Sequence, residues 1–403
     1  MRYILVVAAM VCGMGGIGAM GPAALGQGSF TLEFREATPQ QVPALQETMR
    51  TCSRSAALPA EITQVPQGLP AQVTYFRFGL AEAPICLLAA SGDKPRLYAD
   101  VDRTGDLSKA TALAGTSGES GTWFDPITLT GKDGQKVRVR FMSHTSAGTE
   151  PLNCLHAVPA GCCVGKVKLG EKTYGVALID GNLNGRYNDP LAGPYQRQNM
   201  DALVIDRNGD GQFDLFNPSQ SPPEWSPLAK GVAVDGKHYN VTVAADGSQI
   251  EVAAAEPKYG SLDLGPQQVS LVAFSDFGLQ KIETKGEKVR VAAGRYATVS
   301  GELTANDGKA NWRLQFGGDP GRLGTFVVNA GETLPLALGP PLTPTATVSQ
   351  TERTVLLKYV LEGRSGEVYA AAVTKDNTRL PPPKLEVVDA SGKIIYTGAF
   401  EFG

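Results

Sequence analysis

Asp201-Ala202-Leu203-Val204-Ile205-Asp206-Arg207-Asn208-Gly209-Asp210-Gly211-Gln212-Phe213-Asp214 carries the decisive reading of this chain. After Asp201 come four apolar, β-prone residues, and its last nine place oxygen-bearing side chains at loop positions one, three, five and nine, with Gly at six. A hard cation such as calcium takes six to eight oxygens, and a tightly wound loop turns alternate residues inward. Asp206, Asn208, Asp210 and Asp214, with the main-chain carbonyl of Gln212, are therefore candidate calcium ligands. Position twelve is Asn217 rather than an acid, so an acid from elsewhere is needed to complete the shell. Because a strand delivers Asp206, and Pro218, Pro222, Pro223 and Pro227 forbid a helix after the loop, the setting is β.

Upstream, Val167, Leu169, Tyr174, Val176 and Leu178 alternate around Gly170 and lead into a second loop. That loop offers Asp180, Asn182, Asn184, the carbonyl of Arg186 and Asn188 in the same register, followed by Asp189. The loops start 26 residues apart, so they are expected to form neighbouring sites that share Asp189 and Asp201. The alternation returns as Val232, Val234, Tyr239, Val241 and Val243 around Gly236, a repeat of one hairpin design that ends in a plain Asp246-Gly247 turn. A third loop aligns Asp100, Asp102, Thr104 and the carbonyl of Asp106, with Gly105 at position six.

These loops resemble EF-hand-like calcium loops, most closely the strand-entered kind of exported bacterial multidomain β proteins. The resemblance implies a calcium cofactor and an extracytoplasmic setting, and no activity. The flanking helices of an EF-hand are missing, as is the acid at position twelve, which places a dockerin-like interaction module third among the functional readings.

Elsewhere, 47 Gly, 27 Pro and many short runs rich in Val and Thr predict a mostly β protein with little helix, built of several small sheets or sandwiches. The divisions expected are a signal peptide at 1–26, a β-rich region at 27–115, a β domain with two calcium loops at 116–258, an immunoglobulin-like sandwich at 259–342, and a β segment at 343–403 packed on it. Residues 27–60 read as irregular, with a short helix across Val42 to Cys52. Met1-Arg2-Tyr3, the apolar run to Gly21 and the small residues to Gly26 have the layout of a cleaved secretory signal, which predicts a secreted or periplasmic protein with no later membrane span. Removal of those residues leaves a formal charge of −4 and no basic cluster, against a nucleic-acid partner. A protein or cell-surface partner fits better.

Five cysteines follow Cys12, and export predicts disulfides: Cys154 with Cys162 or Cys163, and Cys52 with Cys86, one thiol remaining. A zinc site of Cys154, His156 and Cys162 or Cys163 has no familiar spacing. His144, His156 and His238 sit in no catalytic motif, and Gly118-Glu119-Ser120-Gly121 lacks the full nucleophile-elbow pattern. The sequence thus favours a non-enzymatic, calcium-ordered β scaffold or binding module, with a calcium-stabilised hydrolase of polysaccharide or peptide as the alternative.

Overall fold

The computed structural model describes residues 28–400 except 81–82, 93, 119–120, 131–133, 144–153, 197–198, 216–222, 319, 352–353 and 370–371. The leader at 1–26, Cys12, Glu119, Ser120, His144, Asn217, Pro218 and Pro222 lie outside the described residues. Strands make up 56% of the protein and helix 4%, in several separate sheets. Among the described residues the only helices are short 3-10 turns at Pro43–Thr48, Leu107–Lys109 and Gly321–Gly324. The helix expected near Val42 is the first of these, and none is long and apolar enough to cross a membrane.

The central sheet has eight strands: β1 Gly28–Glu36, β2 Gly161–Leu169, β3 Lys172–Ile179, β4 Ala202–Ile205, β5 Trp225–Pro227, β6 Gly231–Val234, β7 Lys237–Val243 and β8 Gln249–Ala255. Their order is β5-β4-β3-β2-β1-β8-β7-β6. The two repeated hairpins, β2–β3 and β6–β7, form as expected and bury their alternating residues in one core. Their turns meet at the rim, where Lys172 and Tyr174 hold Asp235 at 2.8 and 2.9 Å. β1 falls in the stretch read as irregular. It pairs with both β2 and β8 and so joins the halves of the sheet, and its alternating Phe30, Leu32 and Phe34 face the hairpin core.

A second, ten-stranded sheet runs from Arg50–Thr51 round to Ser53–Ser55. Both edges belong to one short segment interrupted only by Cys52, so the sheet nearly closes into a barrel. Its interior is filled by Phe76, Phe78, Leu87, Phe124, Val139 and Phe141, with Cys52 among them. The seam is short: His156 faces Thr51, Ala157 faces Arg50, and the Cys52 amide continues the ladder to the Leu155 carbonyl at 2.8 Å.

A three-stranded and a seven-stranded sheet enclose a third core over Tyr259–Arg379. Ala372–Lys375, from the segment expected to pack on the preceding sandwich, pairs with Asn311–Gly317 inside the larger sheet. Val272, Phe274, Ala297 and Val299 of this unit pack with Ala177, Ile179, Val204 and Trp225 of the central sheet. Two hairpins, Thr343–Thr351 with Thr354–Glu362 and Lys384–Val388 with Ile394–Ala399, project from this unit with largely exposed faces.

The expected disulfides are not formed, and Cys52, Cys86, Cys154, Cys162 and Cys163 are all free thiols. Cys52 faces the barrel interior while Cys86 lies in the core on the other face of that sheet, so these two cannot meet. Cys162 and Cys163 are adjacent on β2 and therefore point into opposite cores, one between the layers and one within the hairpin core.

Candidate functional site

Three loops share one backbone. Each begins at an Asp that ends or follows a strand: Asp100 after Arg96–Ala99, Asp180 after β3, Asp206 after β4. Each turns left-handed at its fourth and sixth positions: Arg103 and Gly105, Leu183 and Gly185, Gly209 and Gly211. A non-glycine residue with positive φ is uncommon, so Arg103 and Leu183 signal loops held by their surroundings.

The side-chain bonds repeat with the backbone. The first Asp accepts the sixth-position amide in all three loops, at 3.1 Å from Gly105, 2.8 Å from Gly185 and 3.0 Å from Gly211. The fifth-position oxygen accepts the seventh-position amide in all three: Thr104 from Asp106 at 3.3 Å, Asn184 from Arg186 at 2.8 Å, and Asp210 from Gln212 at 2.8 Å. In the last two loops the third-position Asn also accepts the fifth-position amide, Asn182 from Asn184 at 3.1 Å and Asn208 from Asp210 at 2.8 Å. Side-chain oxygens at alternate positions are thereby held around one turn.

Two loops have a further carboxylate behind them. Asp201, just before β4, accepts the amides of Gly181 at 3.1 Å and Asp189 at 2.7 Å, tying positions two and ten of the Asp180 loop. Glu224, just before β5, does the same for the Asp206 loop, accepting Arg207 at 3.1 Å, Asn208 at 3.3 Å and Asp214 at 3.5 Å. Asp201 is fully buried and Glu224 nearly so. Glu224 is an acid from elsewhere in the chain, and its carboxylate is engaged with the loop's amides from behind. It was not among the residues singled out in the sequence, although a Glu immediately preceding the apolar Trp225 is an unusual place for an exposed acid.

Burial raises the cost of these charges. Desolvation pushes Asp180 up to about 6 against the amides of Gly185, Asn184 and Leu183, with nearby Asp189 adding to the rise. Asp201 goes up to about 8, mainly by desolvation, with Asp180 and Asp189 contributing repulsion. Glu224 is also raised by desolvation, opposed by the three amides it accepts. Asp189 meanwhile takes the side-chain amides of Asn182 at 2.9 Å and Asn184 at 2.5 Å. A set of desolvated, mutually repelling carboxylates and amide oxygens fits a hard divalent cation.

The expected sharing of acids between the loops is corrected by topology. Asp180 and Asp201 stand at one end of the antiparallel β3–β4 pair, Asp206 and Glu224 at the other. β4 separates them by about 16 Å at about 3.3 Å per residue. Asp189 and Asp201 therefore serve only the Asp180 loop. Within that loop Asn188 is exposed, and Leu183 plugs the barrel interior, while Arg50 of the barrel seam donates to the Asn182 carbonyl at 2.6 Å. The Asp180 loop is the joint between barrel and central sheet.

The Asp100 loop differs in charge. Lys109 brings its ammonium to 2.7 Å from Asp106, and Asp106 caps the following turn through Ser108. Asp100, Asp102, Thr104 and Asp106 line an open cleft of about 530 Å³ with Gln64 and Lys109. A resident ammonium already pairs with one of this loop's three aspartates, Asp106. Among the described residues no group of three or more His, Cys, Asp and Glu side chains converges as a metal site.

His238 packs edge-on against Phe277, ring centroids 4.7 Å apart, and a cleft of about 350 Å³ between the central sheet and the third unit is lined by Lys230, Asp276 and Arg295 with apolar neighbours. The chain matches no protein-family profile, no curated protein and no solved structure.

Proposed function

We propose that this chain is a non-enzymatic, calcium-stabilised β scaffold or binding module that works outside the cytoplasm. The observation that carries the reading is the common turn of the Asp180 and Asp206 loops, each closed from behind by a buried acid, Asp201 or Glu224. Calcium at the first would draw on Asp180, Asn182, Asn184, the Arg186 carbonyl and Asp189. At the second it would draw on Asp206, Asn208, Asp210, Asp214 and the Gln212 carbonyl. The Asp100 loop, where Lys109 already holds Asp106, is left out of the proposed calcium sites.

The role is structural. The loops end strands rather than join helices, so the ion would fix a strand end instead of swinging an element. The Asp180 loop supports the barrel joint through Leu183, which links ion binding there to the stability of two units. Sites of this kind with few acids bind in the range of about 10⁻⁴ to 10⁻³ M, suited to extracellular calcium. The test is thermal unfolding in millimolar calcium and in chelator. Wild type is expected to gain several degrees with calcium, Asp206→Ala and Asp180→Ala each to lose part of that gain, and an unchanged wild-type midpoint would sink the proposal.

A further inference from the structure

The two Asn-Gly steps of the sequence, Asn184-Gly185 and Asn208-Gly209, both fall in the strand-end loops. Asn followed by Gly is prone to lose its side-chain amide, because a residue without Cβ lets its main-chain nitrogen reach the Asn carbonyl carbon. Both loops hold the groups of that reaction in the same contacts. The attacking nitrogen is already hydrogen-bonded to a carboxylate: the Gly185 amide donates to Asp180 at 2.8 Å and the Gly209 amide to Asp206 at 2.7 Å. The Asn oxygen accepts the main-chain amide two residues on, Arg186 or Asp210, each at 2.8 Å. A base beside the nucleophile and a donor on the carbonyl are the aids that such an acyl transfer needs.

What differs is the room at the glycine. Closing the cyclic imide rotates the peptide unit between Asn and Gly toward the side chain, so that unit must be free to turn. A Cβ at Gly185 would stand 2.9 Å from the Lys136 carbonyl oxygen and 3.2 Å from Gln135 Cβ, so the barrel presses on that step. Leu183, two residues before, is anchored in the barrel core, and Asp189 holds the side-chain amides of both Asn182 and Asn184. A Cβ at Gly209 would meet nothing within 4 Å. Asn208, Gly209 and Asp210 are all exposed, and the Asn208 amide donates within its own turn to Asp210 at 3.0 Å.

We propose that Asn208-Gly209 is a self-modification site, deamidating in the folded protein with water as co-reactant, and that the barrel protects Asn184-Gly185. The Gly209 nitrogen passes its proton to Asp206 and attacks Asn208 Cγ. The new N–C bond forms, the Cγ–Nδ2 bond breaks, and the amide leaves as ammonia with that proton. Water then adds to one of the two imide carbonyls, the bond from that carbon to the Gly209 nitrogen breaks, and the nitrogen regains a proton. Opening on the side-chain carbonyl gives aspartate, and on the main-chain carbonyl isoaspartate. One water is consumed and one ammonia released, with no change of oxidation state. The product sets a further carboxylate beside Asp206, Asp210 and Asp214. A stronger ion site in the aspartate form is the one consequence that rests on the calcium reading.

The experiment holds the native full chain at mildly alkaline pH in chelator, which keeps the result independent of calcium. Amide-to-acid conversion of each Asn peptide is followed over time by mass spectrometry, with aspartate and isoaspartate products separated. In native wild type Asn208 is expected to convert about tenfold or more faster than Asn184. In concentrated urea the two steps are expected to convert at similar rates, because each is the same dipeptide freed from its loop. Neither measurement needs a variant to fold. Asp206→Asn is expected to slow the native Asn208 reaction, and Leu183→Ala to speed Asn184 while leaving Asn208 unchanged. Asn184 converting first or equally in the native chain, Asn208 converting only in urea, a tenfold ratio that persists in urea, or an Asn208 rate undiminished in Asp206→Asn would each overturn the assignment.

Discussion

The carboxylate of Glu224 accepts the main-chain amide of Arg207 at 3.1 Å across 17 residues of chain, holding the Asp206 loop from behind. The same group reaches Asn208 and Asp214, so one buried acid sets both ends of the turn. Replacing Glu224 by Ala strips three amides of their acceptor, and a loss of about 1–3 kcal/mol in unfolding free energy is expected. Glu224→Gln is expected to recover part of that stability, because it keeps one acceptor oxygen, yet to weaken the calcium-induced rise in Tm. Denaturant unfolding of both variants, with calcium and with chelator, checks the pair of effects.

On the proposed function, protons and calcium would compete for the Asp180 loop. The folded-state values of Asp180, about 6, and Asp201, about 8, lie above the ordinary aspartate value of 3.8. Raised acids favour folding when protonated, so without calcium their contribution is fullest below about pH 4 and is lost as the pH rises through about 6 and about 8. Calcium takes the place of the proton. The calcium-induced Tm increase is therefore expected to be larger at about pH 8 than at about pH 5.5, as measured by scanning calorimetry at matched ionic strength; equal increments would remove Asp180 and Asp201 from the account.

Leu183 joins loop and barrel. It sits at φ 56° with its side chain 1% exposed among the barrel residues. Leu183→Ala keeps the backbone problem and opens a cavity, for which a cost of about 2–4 kcal/mol is expected. The loss is expected in chelator as well as in calcium, because packing rather than ligation is removed. Equilibrium unfolding followed by fluorescence measures it.

In the third unit Glu367 is completely buried and accepts from the Gly339 amide at 2.6 Å, the Ser365 amide at 3.0 Å and the Tyr369 hydroxyl at 2.9 Å. Glu367→Ala would orphan these donors at a cost of about 2–4 kcal/mol. No change in calcium response is expected, since both proposed calcium loops lie in the central sheet. A calcium titration of the variant by Tm provides the control.

Much of this was legible in the residues. Strict alternation in β2, β3, β6 and β7 announced the hairpins, and the Asp-x-Asn spacing announced the turns, because both are local patterns set by side-chain period and loop geometry. What depends on the far side of the chain was not. Glu224 and the counter-ion role of Lys109 become visible only when strands bring distant segments together. The same holds for Leu183, a residue that reads as a mere loop position until the barrel surrounds it. The shared-acid expectation failed for a simple reason: the four-residue strand Ala202–Ile205 carries the chain from one end of a sheet to the other. The cysteine pairings failed because neighbours such as Cys162 and Cys163 point to opposite faces of a strand.

The most direct test is equilibrium binding of radioactive calcium to the purified chain after chelation, with excess magnesium as competitor. Two ions per chain are expected, falling to one in Asp206→Ala and one in Asp180→Ala, and staying at two in Lys109→Met. No saturable binding up to about 10 mM calcium, well above the range of extracellular modules, would contradict the account.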